Sequence, residues 1–317
     1  MIAEAQLSTA PTSPAQVLQA TSAAVRVSFT WFGVRKTLTP TQKAQAAETF
    51  GAEGQYLSAS KKLLDTALPA FRAVTSIRNR IVSYWRGMSL PYPEPGIRLI
   101  RQDRVETFHE KMTELRRELA EAVGELDRQL PLLRRAAQQR LGSLFDPADY
   151  PTSLADLFAV EWDFPSVEPP EYLMQLNPAL YEQERQRIVA RFEEAVRLAE
   201  QAFIEELSRL VSHLVDRLSG DEDGRPKTFR DSSVGNLRQF FEQFRSLSVR
   251  SNPQLDELVA TAQRALRGVQ PQELRDVAAL RQQLASRLSQ VKAGLDELLV
   301  DQPRRRIIRP HGREAAA

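Results

Sequence analysis

At 317 residues, 42% hydrophobic and 26% charged, the chain holds apolar material for one large or two modest domains, which excludes a natively disordered polymer. Its 43 basic and 41 acidic residues leave a net charge of +2, so no whole-molecule field draws in nucleic acid or an anionic membrane. With no cysteine, disulfides, thiolate metal sites and thiol catalysis are excluded.

Glycine is scarce and leucine, alanine, glutamine, glutamate and arginine dominate, a bias toward helix. The first residues lack the basic and apolar regions of a signal peptide, and no apolar run is long enough to span a membrane. A cytoplasmic protein is expected.

Residues 1–24 are small and polar, with Pro11 and Pro14, and read as a flexible N-terminal arm. Val25, Val27, Phe29 and Trp31 then alternate with Arg26, Ser28 and Thr30, a strand signal that Gly33 ends. Thr39-Pro40 opens a helix by the N-cap rule, running to about Phe50. Ser58 or Ser60 is expected to cap a further helix carrying Leu63, Leu64, Leu68, Phe71, Val74, Ile77, Ile81 and Trp85, kinked at Pro69. The proline-rich stretch Leu90–Gly96 closes this region, so 25–96 reads as a strand plus helices.

Asp103 is expected to cap a long helix with a heptad seam of Val105, Phe108, Met112, Leu115 and Leu119. Val123, Leu126, Leu130 and Leu133 continue it after a one-residue shift, Pro131 bends it, and Gly142 suits its C-cap. A second long helix, from about Asn177 to Leu218, carries a seam from Phe192 through Val196, Ala199, Phe203, Leu207, Leu210 and Leu214. That spacing is nearer an eleven-residue period than a seven. The fold class expected is mainly α: a long antiparallel helical hairpin over 97–219, with a small β head and loop insert at 142–178 and a C-terminal helical subdomain. In the insert Val160, Trp162 and Phe164 alternate with Glu161 and Asp163, and this strand is the natural partner of Val25–Trp31.

Residues 220–233 read as a glycine- and proline-punctuated linker. Residues 234–300 read as the C-terminal subdomain of three helical stretches, the last striped by Leu284, Leu288, Val291, Leu295 and Leu298. That stripe is expected to exceed what its neighbours cover and to mark self-association or a helical partner. Residues 301–317 read as a basic disordered tail.

No phosphate-binding glycine loop, dinucleotide fingerprint or nucleophile elbow occurs. His109-Glu110 begins like a zincin helix, but position 113 is threonine. His213 reads as an ordinary boundary histidine, and the glutamates of the second long helix as a solvated face paired with arginines. No catalytic, cofactor-binding or metal-binding residue is assigned, no cofactor and no small-molecule substrate is expected, and the chain reads as non-enzymatic. Two places suit nucleic acid: the face of Arg72, Arg78, Arg80 and Arg86 beside Tyr84-Trp85, and the tail arginines Arg304, Arg305, Arg306, Arg309 and Arg313.

The landmarks Trp31-Phe-Gly33, Ser60-Lys-Lys-Leu-Leu-Asp65, Leu144-Phe-Asp-Pro-Ala-Asp-Tyr-Pro151 and Phe158-Ala-Val-Glu-Trp-Asp-Phe164 stand in order around the first long helix. In this the region of about 25–220 resembles a bacterial and phage family of unknown function, found on integrative elements. The resemblance implies a cytoplasmic accessory protein, often encoded beside an AAA+ ATPase and a von Willebrand A-type protein, and it brings no catalytic residues. The function expected is a helical adaptor in a multiprotein assembly, binding a protein partner or a second copy. The alternative is a non-specific nucleic-acid-binding accessory protein using the tail.

Overall fold

The computed structural model describes residues 13–219 and 231–300. In chain order the elements are α1 (Pro14–Thr21), β1 (Ser22–Trp31), β2 (Arg35–Thr37), α2 (Pro40–Glu48), β3 (Ser60–Lys62), α3 (Pro69–Met88), β4 (Ser89–Pro91), β5 (Ile97–Arg101), α4 (Val105–Arg128), α5 (Leu130–Leu141) and β6 (Phe158–Asp163). Then follow α6 (Tyr172–Leu176), α7 (Pro178–Ser219), α8 (Ser232–Leu247), α9 (Pro253–Leu266), α10 (Pro271–Asp276) and α11 (Ala278–Val300). The mainly α class stands, with a small antiparallel sheet. The chain divides into a sheet unit, Thr21–Leu90 with Glu94–Pro169, and a helical unit that takes the described residues before Thr21, Pro91–Pro93 and the described residues from Pro170 on.

In the sheet unit the strand order is β4-β5-β1-β6. β1 is shared: Ser22–Arg26 pairs with β5, and Arg26–Trp31 pairs antiparallel with β6, Phe29 opposite Val160. The expected long-range pairing is therefore present. Arg26 locks it with a two-pronged ion pair to Asp163, at 3.0 and 2.5 Å. Val25, Val27, Phe158 and Val160 turn inward, against a core completed by Val74 and Ile81 of α3 and Phe108, Met112 and Leu115 of α4. The seam expected in α4 is buried from Phe108 to Leu126. Arg80 meets Glu118 and Tyr84 stacks on Phe108, so α3 and α4 run antiparallel.

An antiparallel helical pair thus exists, but α4's partner is α3 rather than the second long helix, which falls in the other unit. An apolar stripe specifies a face to be buried and not the neighbour that buries it. Other expectations are corrected in the same region. Residues 13–24 form α1 and the start of β1 instead of a flexible arm, while residues 1–12 lie outside the described residues. Ser60 starts strand β3, paired with β2, instead of capping a helix. Pro69 begins α3 instead of kinking it, because proline's missing N–H costs nothing in a first turn. Strand β5 had no clear alternation to reveal it: Leu99 and Ile100 are both buried. Thr39 caps α2 with Pro40 in its first turn, as expected, and Gln42 adds the reciprocal bond of a capping box; Pro131 sits in the first turn of α5, where the long helix is interrupted.

Arg98 of β5 closes the end of α3. Its guanidinium donates to the Ser89 hydroxyl at 2.8 Å and to the Ser89 carbonyl at 2.7 Å. Burial, helped by the nearby Arg86 charge, pulls its pKa down to about 10.

In the helical unit the seam expected in α7 is buried from Phe192 to Leu218. α11 is its chief partner, and α8 and α9 pack on the pair, so the C-terminal helices and α7 belong to one unit. Phe203 of α7 meets Phe240 and Phe244 of α8 edge-on at 6.1 and 5.0 Å. On α11, Leu284, Leu288, Val291 and Leu295 are buried. A side chain added at Gly294 would come within 2.8 Å of Leu258 of α9. The stripe expected to be uncovered there is therefore covered. The linker expected at 220–233 lies outside the described residues up to position 230, as does the tail of 301–317.

Candidate interaction surface

Large apolar side chains are exposed elsewhere, Phe50, Tyr56 and Leu132 singly and several more ahead of α7. Asn177 caps α7, its side chain accepting from the Leu180 N–H at 3.1 Å, and Pro178 takes the first turn. Ahead of it, the short helix α6 contacts α7. Between Glu171 and Arg187 no residue is buried, and Ile188 is the first of α7 to be so. Yet this arm carries Tyr172, Met174, Leu176 and Leu180, with Leu176 76% exposed and Tyr172 60%. Exposed leucines are ordinary singly; here four large apolar side chains are exposed within nine residues. The polar residues of the arm pair locally, Glu182 with Arg185 and Glu184 with Arg187.

A second surface feature of the same unit lies between α8 and α9. A groove of about 780 Å³ is floored by Phe241, Ala260 and Leu266 and edged by Arg238, Arg264 and Arg267. A smaller recess of about 180 Å³ shares Phe241 and Ala260 and is edged by Arg245 and Arg250. Arg250 holds a left-handed backbone, φ 52°, which a non-glycine residue adopts only under strain from its surroundings. Arg267 and Arg250 make no ion pair among the described residues, while Arg264 pairs with Glu257 and Arg245 with Glu242.

One buried charged cluster occurs in the sheet unit. The Asp149 side chain is 1% exposed and Lys61 6%. Lys61 Nζ lies 2.6 Å from Asp149 Oδ2 and donates to the Leu144 carbonyl at 2.6 Å, and Lys36 reaches Oδ1. Burial pushes the Asp149 carboxyl up, but the contacts and charges of Lys36 and Lys61 outweigh it and hold it below its ordinary value. The cluster ties the β2–β3 ribbon to the turn at Pro147–Asp149 and is read as a clamp.

Part of the arginine face read for nucleic acid is occupied internally, while Arg72 and Arg86 are exposed. Arg78 lies over Phe29 and Trp31, Arg80 pairs with Glu118, Tyr84 stacks on Phe108, and Trp85 buries its indole N–H. Neither aromatic is free to stack on a base. His109 Nδ1 accepts from the Trp162 indole at 3.3 Å, and His213 is exposed on α7. Among the described residues no group of three His, Asp or Glu side chains is placed to hold a metal ion, and no helix is long and apolar enough to cross a membrane. Arg304, Arg305, Arg306, Arg309 and Arg313 lie outside the described residues.

The sequence held a signal for the arm. The second long helix starts near Asn177, but its seam starts at Phe192, which leaves Leu180 and Val189 without a seam to join. Comparison with known proteins finds no matching family model, no matching curated protein and no matching solved structure.

Proposed function

We propose that this chain is a non-catalytic helical adaptor of a cytoplasmic multiprotein assembly, with α6 and the first turns of α7 as its docking element. The observation that carries the reading is the exposure of Tyr172, Met174, Leu176 and Leu180 on an arm with no buried residue. That the assembly belongs to a phage or integrative element rests on the sequence resemblance alone. Leu176→Ser with Leu180→Ser is expected to leave stability within about 0.5 kcal/mol, since both side chains are exposed. It is expected to weaken partner binding roughly thirty-fold, the loss of about 2 kcal/mol typical of an interface anchor. Co-purification from the native host under nuclease, quantified for both proteins, checks this. An unchanged partner set overturns it.

The second reading, non-specific nucleic-acid binding, rests on the arginines between Arg304 and Arg313. Deletion of 301–317 is expected to abolish any affinity for nucleic acid without lowering the melting temperature. In the full chain the log–log salt slope is expected near −4 to −5, at roughly 0.9 per phosphate contact. Affinity unchanged by the deletion removes the tail from the reading.

A further inference from the structure

We infer that residues 164–172, the proline-rich run that leads into the arm, are a docking motif for a partner protein whose groove is lined by aromatic rings and reads an extended proline helix. The inference rests on the docking reading of the arm and names the chemistry of its partner.

The sequence sets the backbone. Pro165, Pro169 and Pro170 each hold φ near about −65°, and a proline turns the residue before it away from helix, here Phe164, Glu168 and Pro169. Five of the seven residues 164–170 are restricted in one of these two ways, and Pro169-Pro170 is the only adjacent proline pair in the chain. The structure agrees. The run lies after β6 and before α6, in neither helix nor strand, and none of its residues is buried. Among the described residues no carbonyl at positions 165–169 accepts a hydrogen bond, while the Glu168 N–H donates to the Ser166 hydroxyl at 3.2 Å. A polyproline helix has this character: no internal hydrogen bonds, with its carbonyls open to outside donors.

Tyr172 completes the motif as Pro169-Pro170-Glu171-Tyr172. Glu171 already has helical backbone, φ −58° and ψ −31°, and the Leu173 N–H donates to the Pro170 carbonyl at 3.0 Å. The proline run therefore ends in a fixed turn that carries the tyrosine ring, 60% exposed. Proline rings pack between the aromatic rings of such a groove, whose indole and hydroxyl groups donate to the open carbonyls. The tyrosine, apolar in body and polar at its tip, suits a second pocket beside them. Other modes of peptide recognition fit less well. Strand addition needs backbone N–H groups that three prolines lack, and a helix-reading groove needs a conformation that prolines interrupt. Ordering an extended segment costs roughly 1–2 kcal/mol per residue, and prolines remove much of that cost before binding.

The test uses the full chain and, as probe, a recombinant WW domain, a small module with a groove of this kind. Calorimetric titration is expected to show saturable one-to-one binding. Pro169→Ala with Pro170→Ala is expected to weaken it about ten-fold or more, as is Tyr172→Ala, since each removes an anchor. Leu176→Ser with Leu180→Ser is expected to change it by less than about two-fold, because the probe is too small to cover the arm as well. Unchanged thermal melts verify that all three variants fold. A synthetic peptide of residues 163–175 is expected to bind about three-fold or more weakly than the chain, having no fold to hold its turn. No binding by the full chain overturns the inference, and does so equally if the peptide binds, which shows that α6 masks the motif. Binding that survives the proline variant, or that is lost in the leucine variant, also overturns it. From host extract under nuclease, the proline variant is expected to lose the partners that the leucine variant loses. If it keeps them, the inference falls and the docking reading stands; if neither variant loses a partner, both fall.

Discussion

Asp149→Asn is expected to destabilise the protein by about 3 kcal/mol, lowering the melting temperature of the sheet unit by roughly 6–12 °C. The substitution keeps the shape of the side chain and removes its charge. Lys61, buried beside it, is left as an ammonium with neutral oxygens around it and no counter-charge. Removing one partner of a buried pair costs more than the pair itself contributes, because the remaining charge has lost its water as well. Lys36→Ala is expected to cost far less, since Lys36 is half exposed and its attraction is screened.

The pH profile separates this from a packing effect. Asp149 is held below the ordinary 3.8, so the unfolded chain binds its proton first as pH falls. Its contribution is present in full above that ordinary value and is lost as pH drops through the depressed one. The wild type should therefore lose stability more steeply below about pH 4 than Asp149→Asn does. Thermal melts across that window check it, and equal melting temperatures at neutral pH would show that the clamp contributes nothing.

Leu115→Asp is expected to unfold the sheet unit under ordinary conditions. Leu115 is 1% exposed in the seam where α4 meets α3 and the sheet, and an unpaired carboxylate there costs several kcal/mol. The measurement is clean because all three tryptophans, Trp31, Trp85 and Trp162, belong to the sheet unit. Their fluorescence reports that unit directly. Phe203→Asp, placed among Phe240 and Phe244, is the matching lesion in the tryptophan-free helical unit, and is read by loss of far-UV ellipticity. A wild-type melting temperature for either variant would show that the position is not in a core.

Much of the local structure was legible. The seam of α7, the N-cap of α2 and the pairing of β1 with β6 all follow from patterns that local physics imposes on a chain. Which helix lies against which does not. The stripes of α3, α4, α7 and α11 are chemically alike, and their partners are chosen by the connections and the sheet between them. β5 was missed because its pleat is buried on both faces at Leu99 and Ile100, which erases alternation. The arm shows in the sequence only as a helix start without a seam, because a side chain's exposure is a fact about its absent neighbours. The groove depends on how closely α8 approaches α9, a distance no spacing of residues encodes.

The shared strand β1 also orders the protein's birth in time. Its first half meets β5 as soon as Ile97–Arg101 has been made, but its second half waits for Phe158–Asp163. Arg26 and Asp163 are 137 residues apart, and a ribosome adds roughly 5–20 residues per second, so the wait is about seven to thirty seconds. Through that interval Phe29 and Trp31 have no strand beside them. A nascent chain stalled before Phe158 should be caught by chaperones at this half-made edge, and one stalled well beyond Asp163 should not.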